Sequence, residues 1–144
     1  RSTLFPYTTL FRSWLTARVR LCVGSYPAGR AVSHVTEHDK ALALVRCLRI
    51  LMESRAYPML ATHDPRIIEL AQELALRNGR GPESFEYQMF HGVRPLEQRR
   101  LADIGLRCRT YIPFGPGWYG YLATRMAARP RILFSYARAL LDKR

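Results

Sequence analysis

Apolar positions along the chain switch between a strand-like and a helical spacing. Arg18 to Cys22 (RVRLC) is a short β-type run, followed by Gly24-Ser25 and a Pro- and Gly-containing loop from Pro27 to Val35. Thr36 with Asp39 three residues on resembles a capping box. Behind it Ala41, Leu44, Val45, Leu48 and Leu51 recur at helical spacing and predict a buried stripe. Tyr57 to Thr62 is a second apolar run. Asp64 is a natural N-cap and Pro65 fits the first helical position. Ile67, Ile68, Ala71, Leu74 and Ala75 form that helix's apolar face, and Asn78-Gly79 stops it. Phe85 to Phe90 predicts a third strand. Val93 to Ile104 predicts a third helix, with Pro95 near its start and Gly105 after its end. Arg107 to Ile112 is a fourth strand, ended by Pro113 and Gly115. Trp118 to Ala128 reads as helix, Pro130 breaks it, and Ile132 to Leu141 is a last amphipathic helix.

Strand and helix therefore alternate four times, which points to α/β architecture built from parallel βα units. The strands look mostly apolar, as strands buried on both faces do. The turns carry no Gly-x-Gly-x-x-Gly, so a dinucleotide fold is not indicated. A small open sheet and half of an eight-stranded barrel both fit. In a barrel, chemistry sits at the C-terminal strand ends. Those ends read Gly24-Ser25-Tyr26, Thr62-His63-Asp64, Gln88, and Tyr111 through Gly115.

Composition narrows the class. The 144 residues are 48% apolar and 24% charged, which is ordinary for a globular chain. No run of apolar residues is long enough for a transmembrane helix. Cys22, Cys47 and Cys108 are too widely spaced for a zinc signature or a paired disulfide framework, and no metal site is expected. The net charge of +12 resembles a nucleic-acid footprint. However, 21 of the 23 cations are Arg, scattered along the chain, a skew that fits codon usage in a GC-rich bacterial genome. No nucleic-acid partner is expected. A basic module for nucleic acid or an anionic membrane remains the alternative, and it would gather Arg99, Arg100, Arg107 and Arg131 on one patch.

Residues 1–13 (RSTLFPYTTLFRS) do not read like the rest. Thr3 to Ser13 resembles the in-frame translation of a sequencing-library adapter, although a short native strand would suit its β-propensity. The segment is set aside as an artefact outside the fold. That lowers the net charge from +12 to +10 and leaves 14–144 as the expected C-terminal piece of a longer protein.

Several spaced motifs then coincide. Ala61-Thr62-His63-Asp64-Pro65-Arg66, Phe85-Glu86-Tyr87-Gln88 and Gly92-Val93-Arg94-Pro95 occur in order. Arg109-Thr110-Tyr111-Ile112-Pro113-Phe114-Gly115 leads on to Tyr121 and Arg125. Together they resemble the proline dehydrogenase family, whose closing pattern is R-x-Y-x-P-x-G followed by Y-x-x-R-R. The resemblance covers Arg18 to about Leu141. It implies a partial (β/α)8 TIM barrel, the last four βα units of a distorted barrel that holds FAD. It also implies oxidation of L-proline to Δ1-pyrroline-5-carboxylate, a quinone acceptor, and a cytoplasmic location with peripheral contact at the inner membrane. Without the first four strands the isolated chain is expected to be inactive.

The resemblance assigns roles residue by residue. Arg20 matches the Arg that lies against the flavin ring, where a guanidinium stabilises charge on the reduced flavin; otherwise it would be a barrel-wall Arg in an ion pair. Val23, Gly24 and Ser25 match a strand-end Lys-Gly-Ala, and Thr62 and His63 match residues that bond FAD. A lone His is more often structural, but this one stands at a strand end beside Asp64. Gln88 is a further cofactor candidate, or else a satisfied core amide. Tyr111 and Tyr121 would border the proline site, with Thr124 and Arg125 at the Arg pair that holds the carboxylate. Three positions depart from the family: Val23 replaces a Lys, Thr124 the first Arg of the pair, and Ala128 a Glu. These departures leave a decayed, non-catalytic paralogue as a further reading.

Overall fold

The computed structural model describes residues 17–23, 33–34, 36–121 and 123. The 1–13 segment, Gly24, Ser25, Thr124, Arg125, Ala128 and the helix expected over 132–141 lie outside the described residues.

The described elements are β1 (Arg18–Cys22), α1 (Glu37–Glu53), β2 (Tyr57–Ala61), α2 (Pro65–Arg77), a 3-10 turn (Pro82–Ser84), β3 (Glu86–Phe90), α3 (Pro95–Asp103) and β4 (Cys108–Tyr111). The strands form one sheet in the order β1-β2-β3-β4. Every pairing is parallel, with Arg18 opposite Tyr57, Met59 opposite Glu86, and Gln88 opposite Arg109. The parallel arrangement expected of βα units is observed, with the strands side by side in chain order. Residues 118–121 and 123 are helical, within the helix expected from Trp118.

Local chemistry sets the helix ends. Thr36 Oγ1 accepts from the Asp39 N–H at 3.0 Å, and Asp64 Oδ1 accepts from the Arg66 N–H at 3.0 Å. α2 closes with Gly79 at φ +61°, the Arg80 N–H reaching back to the Ala75 carbonyl at 2.9 Å. Gly105, at φ +79°, closes α3 in the same way. One stripe differs from its expected extent: Ala41 is exposed, Leu44 and Val45 are half-buried, and burial is complete only at Leu48, Leu51 and Met52. The reason is length. Seventeen helical residues run about 26 Å, whereas a five-residue strand runs about 17 Å, so the first turns of α1 overhang the sheet.

The core lies on one face of the sheet. Leu60, Tyr87 and Met89 point into a cluster with Leu48 and Met52 of α1, Ile68, Ala71, Leu74 and Ala75 of α2, and Leu101 of α3. The buried Tyr87 hydroxyl donates to the Ile68 carbonyl at 3.2 Å, and burial pushes its pKa up. Arg80 ties the cluster's rim together. Its guanidinium donates to the carbonyls of Leu51 (3.0 Å), Met52 (2.7 Å), Ala56 (3.1 Å), Ser84 (3.1 Å) and Ser54.

The opposite face corrects the expectation of strands apolar on both sides. It carries Arg18, Arg20, Tyr57, Glu86, Gln88 and Arg109, linked to one another by hydrogen bonds. Leu48, Met52, Ile68, Ala71, Leu74, Ala75 and Leu101 of the helices belong to the cluster on the other face. Among the described residues β1 pairs with β2 alone and β4 with β3 alone, so the sheet keeps two outer edges.

Candidate cofactor and substrate cleft

Alternation along each strand sends every second side chain to the polar face. At the C-terminal end of that face, Arg20, Val23, Thr62, His63, Gln88 and Tyr111 line one cleft. These are six of the residues singled out from the sequence, drawn from all four strands and the turns that follow them.

Arg20 is exposed toward this cleft. Its Nε donates to Gln88 Oε1 at 2.7 Å, and its guanidinium carbon stands 5.6 Å from the Tyr111 ring centroid. The Gln88 amide is engaged at its other end too, Nε2 donating to Glu86 Oε1 at 2.8 Å. Thr62 Oγ1 accepts from the Asp64 N–H at 3.1 Å, which leaves the hydroxyl hydrogen to donate elsewhere. Arg66 holds the Asp64 carboxyl below its ordinary pKa by a side-chain hydrogen bond, so the cap is ionised.

His63 has a definite role inside the protein. Its Nε2 accepts from the Phe90 N–H at 2.9 Å, so the ring hydrogen of the neutral form is on Nδ1. The ring stacks on Phe90 at 5.6 Å and 11°, and the His63 carbonyl accepts from Arg94 Nη1 at 2.8 Å. Phe90, Tyr111 and Tyr121 pack as an aromatic wall, with centroids 5.2 Å apart for Phe90–Tyr111 and 6.4 Å for Tyr111–Tyr121.

Glu86 was not identified as a site residue from the sequence. Its side chain is fully buried, and it is the centre of the polar face. Arg109 donates to it twice, Nε to Oε1 and Nη2 to Oε2, both at 3.0 Å. Arg18 Nη2 and the Tyr57 hydroxyl each donate to Oε2 at 3.2 Å. Hydrogen bonds from Arg109 foremost, then from Gln88 and Tyr57, hold its pKa down at about 2 against the opposing effect of burial. The sequence did carry a signal: Glu86 shares the parity of Gln88 in the strand EYQMF, which puts an acid on the candidate face.

The face as a whole sets three guanidinium groups, those of Arg18, Arg20 and Arg109, against the one buried carboxylate of Glu86. The excess favours an anion over the cleft. Of the patch that a basic binding module requires, Arg100 pairs with Glu97 at 2.7 Å and Arg107 with Glu83, Arg99 is exposed, and Arg131 lies outside the described residues, so two of its four cations are neutralised. Among the described residues no group of His, Cys, Asp and Glu side chains is arranged to hold a metal ion, and no helix is long and apolar enough to cross a membrane.

A family model described as proline dehydrogenase matches residues 35–125. The chain is similar to Proline dehydrogenase 1 of Bacillus subtilis subsp. natto, 32% identical over 129 residues, covering 90% of this chain and 43% of that protein. It is 34% identical over 117 residues to Proline dehydrogenase of Deinococcus radiodurans, covering 81% of this chain and 38% of the relative. With Proline dehydrogenase 2 of Bacillus subtilis it shares 33% over 119 residues, 82% of this chain and 39% of the relative. The chain thus spans about two fifths of the length of the curated relatives it matches.

Proposed function

The chain belongs to the proline dehydrogenase family, and from that premise we propose that it is the second half of an FAD-dependent (β/α)8 barrel that oxidises L-proline to Δ1-pyrroline-5-carboxylate in proline catabolism. One observation carries the reading. Arg20, Thr62, Gln88 and Tyr111 come from separate strands or strand ends and converge on one cleft at the C-terminal end of a parallel sheet. That end is where barrel enzymes keep their chemistry. The polar face would then be the barrel interior, and the first four strands would close it.

The side chains present fit FAD. A flavin ring offers several acceptor atoms and gains negative charge on reduction, and the cleft supplies a guanidinium, a hydroxyl hydrogen and a net positive face. When bound, FAD accepts the hydride from the ring carbon next to the proline nitrogen. Arg20, held by Gln88 and lying over Tyr111, presents fixed positive charge where electron density collects. Thr62 offers its hydroxyl, and Tyr111 with Tyr121 gives an apolar wall to the pyrrolidine ring. Arg125 takes the carboxylate by its match to the family motif. Thr124 in place of a second Arg weakens that grip. The electron acceptor is a quinone, reached by peripheral contact with the inner membrane from the cytoplasmic side. The isolated chain does not turn over, because the first four strands would carry the remaining wall that holds donor and acceptor at reacting distance.

The test joins this chain to the N-terminal part of its Deinococcus radiodurans relative. The joined protein should retain FAD, and anaerobic L-proline should bleach the flavin absorbance. Failure to retain FAD overturns the flavin reading. FAD retention without proline-dependent bleaching favours instead a non-catalytic paralogue, for which Val23, Thr124 and Ala128 are the specific observation.

A further inference from the structure

We propose that Glu86 is a positioning residue for Arg20, acting through the side-chain amide of Gln88; the role in catalysis rests on the flavin-site reading above. Glu86 and Gln88 lie two apart on β3 and share a face. Gln88 Nε2 donates to Glu86 Oε1 at 2.8 Å, which turns Oε1 of the amide the other way, onto Arg20 Nε at 2.7 Å. A reversed amide would set its NH2 against the Arg20 N–H, donor to donor, and its oxygen against a carboxylate. An ionised Glu86 therefore permits one orientation of Gln88, and that orientation is the one that accepts from Arg20.

The surroundings keep Glu86 ionised and in place. Arg109 makes two bonds to it, Arg18 and Tyr57 one each, and water does not reach the side chain. Arg20 itself is exposed and long, with many rotamers open to it. Without the bond it donates to Gln88 only the Tyr111 ring, 5.6 Å away, would restrain its head among these contacts. The bland alternative is that Glu86 merely neutralises Arg109 and Arg18.

The two are separated by following the Arg Nε–H signals of the full chain by 15N-edited NMR in parent, Glu86→Gln, Glu86→Asp and Gln88→Leu. Glu86→Gln should make exchange of the Arg20 Nε hydrogen about tenfold faster, as for loss of one charge-supported hydrogen bond. Gln88→Leu should do the same, and the double variant should add nothing. Glu86→Asp keeps the charge but withdraws it from Gln88, so it too should release Arg20. An unchanged Arg20 signal in Glu86→Asp or Glu86→Gln, with only Arg109 affected, overturns the proposal. In the FAD-loaded joined protein, Glu86→Asp should slow flavin reduction about tenfold at saturating proline, the size seen when a supporting partner is removed, with the proline KM unchanged. If that protein binds no FAD, the flavin reading fails, and the NMR result still decides whether Glu86 positions Arg20.

Discussion

Arg109 grips Glu86 across the β3–β4 boundary with two parallel bonds of 3.0 Å, closing the one fully buried carboxylate among the described residues. The pair has a pH consequence. The Glu86 pKa is depressed in the folded chain, from an ordinary 4.5 to about 2. A depressed carboxylate contributes stability that is fully present above its unfolded value and is lost as pH falls through the folded one. The chain should therefore weaken between about pH 4.5 and about pH 2, by at most about 3 kcal/mol. Arg18 and Arg109 are half exposed, so solvent and salt reduce that figure. Urea midpoints from neutral to acid pH should show the loss in the parent and a flatter profile in Glu86→Gln.

Arg80 is the second stability determinant. It donates to the carbonyls of Leu51, Met52, Ala56 and Ser84 at distances between 2.7 and 3.1 Å and to Ser54, adding to the Ser54 N–H and hydroxyl that already cap the end of α1. Burial lowers its pKa, though from so high a value that it stays charged. Arg80→Met should cost about 1–3 kcal/mol in denaturant unfolding, because several acceptors lose their donor. Arg80→Lys should recover part of this, since an ammonium has three donors and no fork.

Much of this fold was legible in the sequence. Thr36, Asp64, Gly79 and Gly105 act locally, through bonds to neighbours a few residues away, and each one marked a helix end correctly. The strand runs bounded by Pro and Gly also matched, to within a residue or two. The polar face was not read. Its pairs join positions far apart in the chain, Arg18 to Glu86 over 68 residues and Arg109 to Glu86 over 23, and they exist only once register is set. The commitment of His63 Nε2 to the Phe90 N–H, 27 residues away, was invisible for the same reason. Arg20, Thr62, Gln88 and Tyr111 were legible because they stand at strand ends, where parallel topology brings distant motifs together.

Substrate affinity is expected to respond at a departure from the family pattern. In the FAD-loaded joined protein, Thr124→Arg should tighten proline binding by about 1.5–3 kcal/mol, the range for a hydrogen bond to a charged group. The measurement is the proline dependence of flavin reduction. Equal dependence in parent and variant would remove the carboxylate role carried over to this position.

The sheet edges give a further expectation. β1 and β4 each keep an unpaired side, and the polar face is not covered by the described helices. Exposed strand edges template association. The isolated chain should self-associate, with a sedimentation coefficient that rises with concentration. A monomer that unfolds cooperatively at every concentration would contradict the half-barrel reading.

The most direct measurement is a crystal structure of the joined protein loaded with FAD. The flavin ring should lie at the C-terminal ends of β1 and β2, within hydrogen-bond distance of the Arg20 guanidinium, with Gln88 still bridging Arg20 and Glu86. A flavin bound away from the cleft lined by Arg20, Thr62 and Tyr111, or strands of the added half that do not pair with β1 and β4, would contradict it.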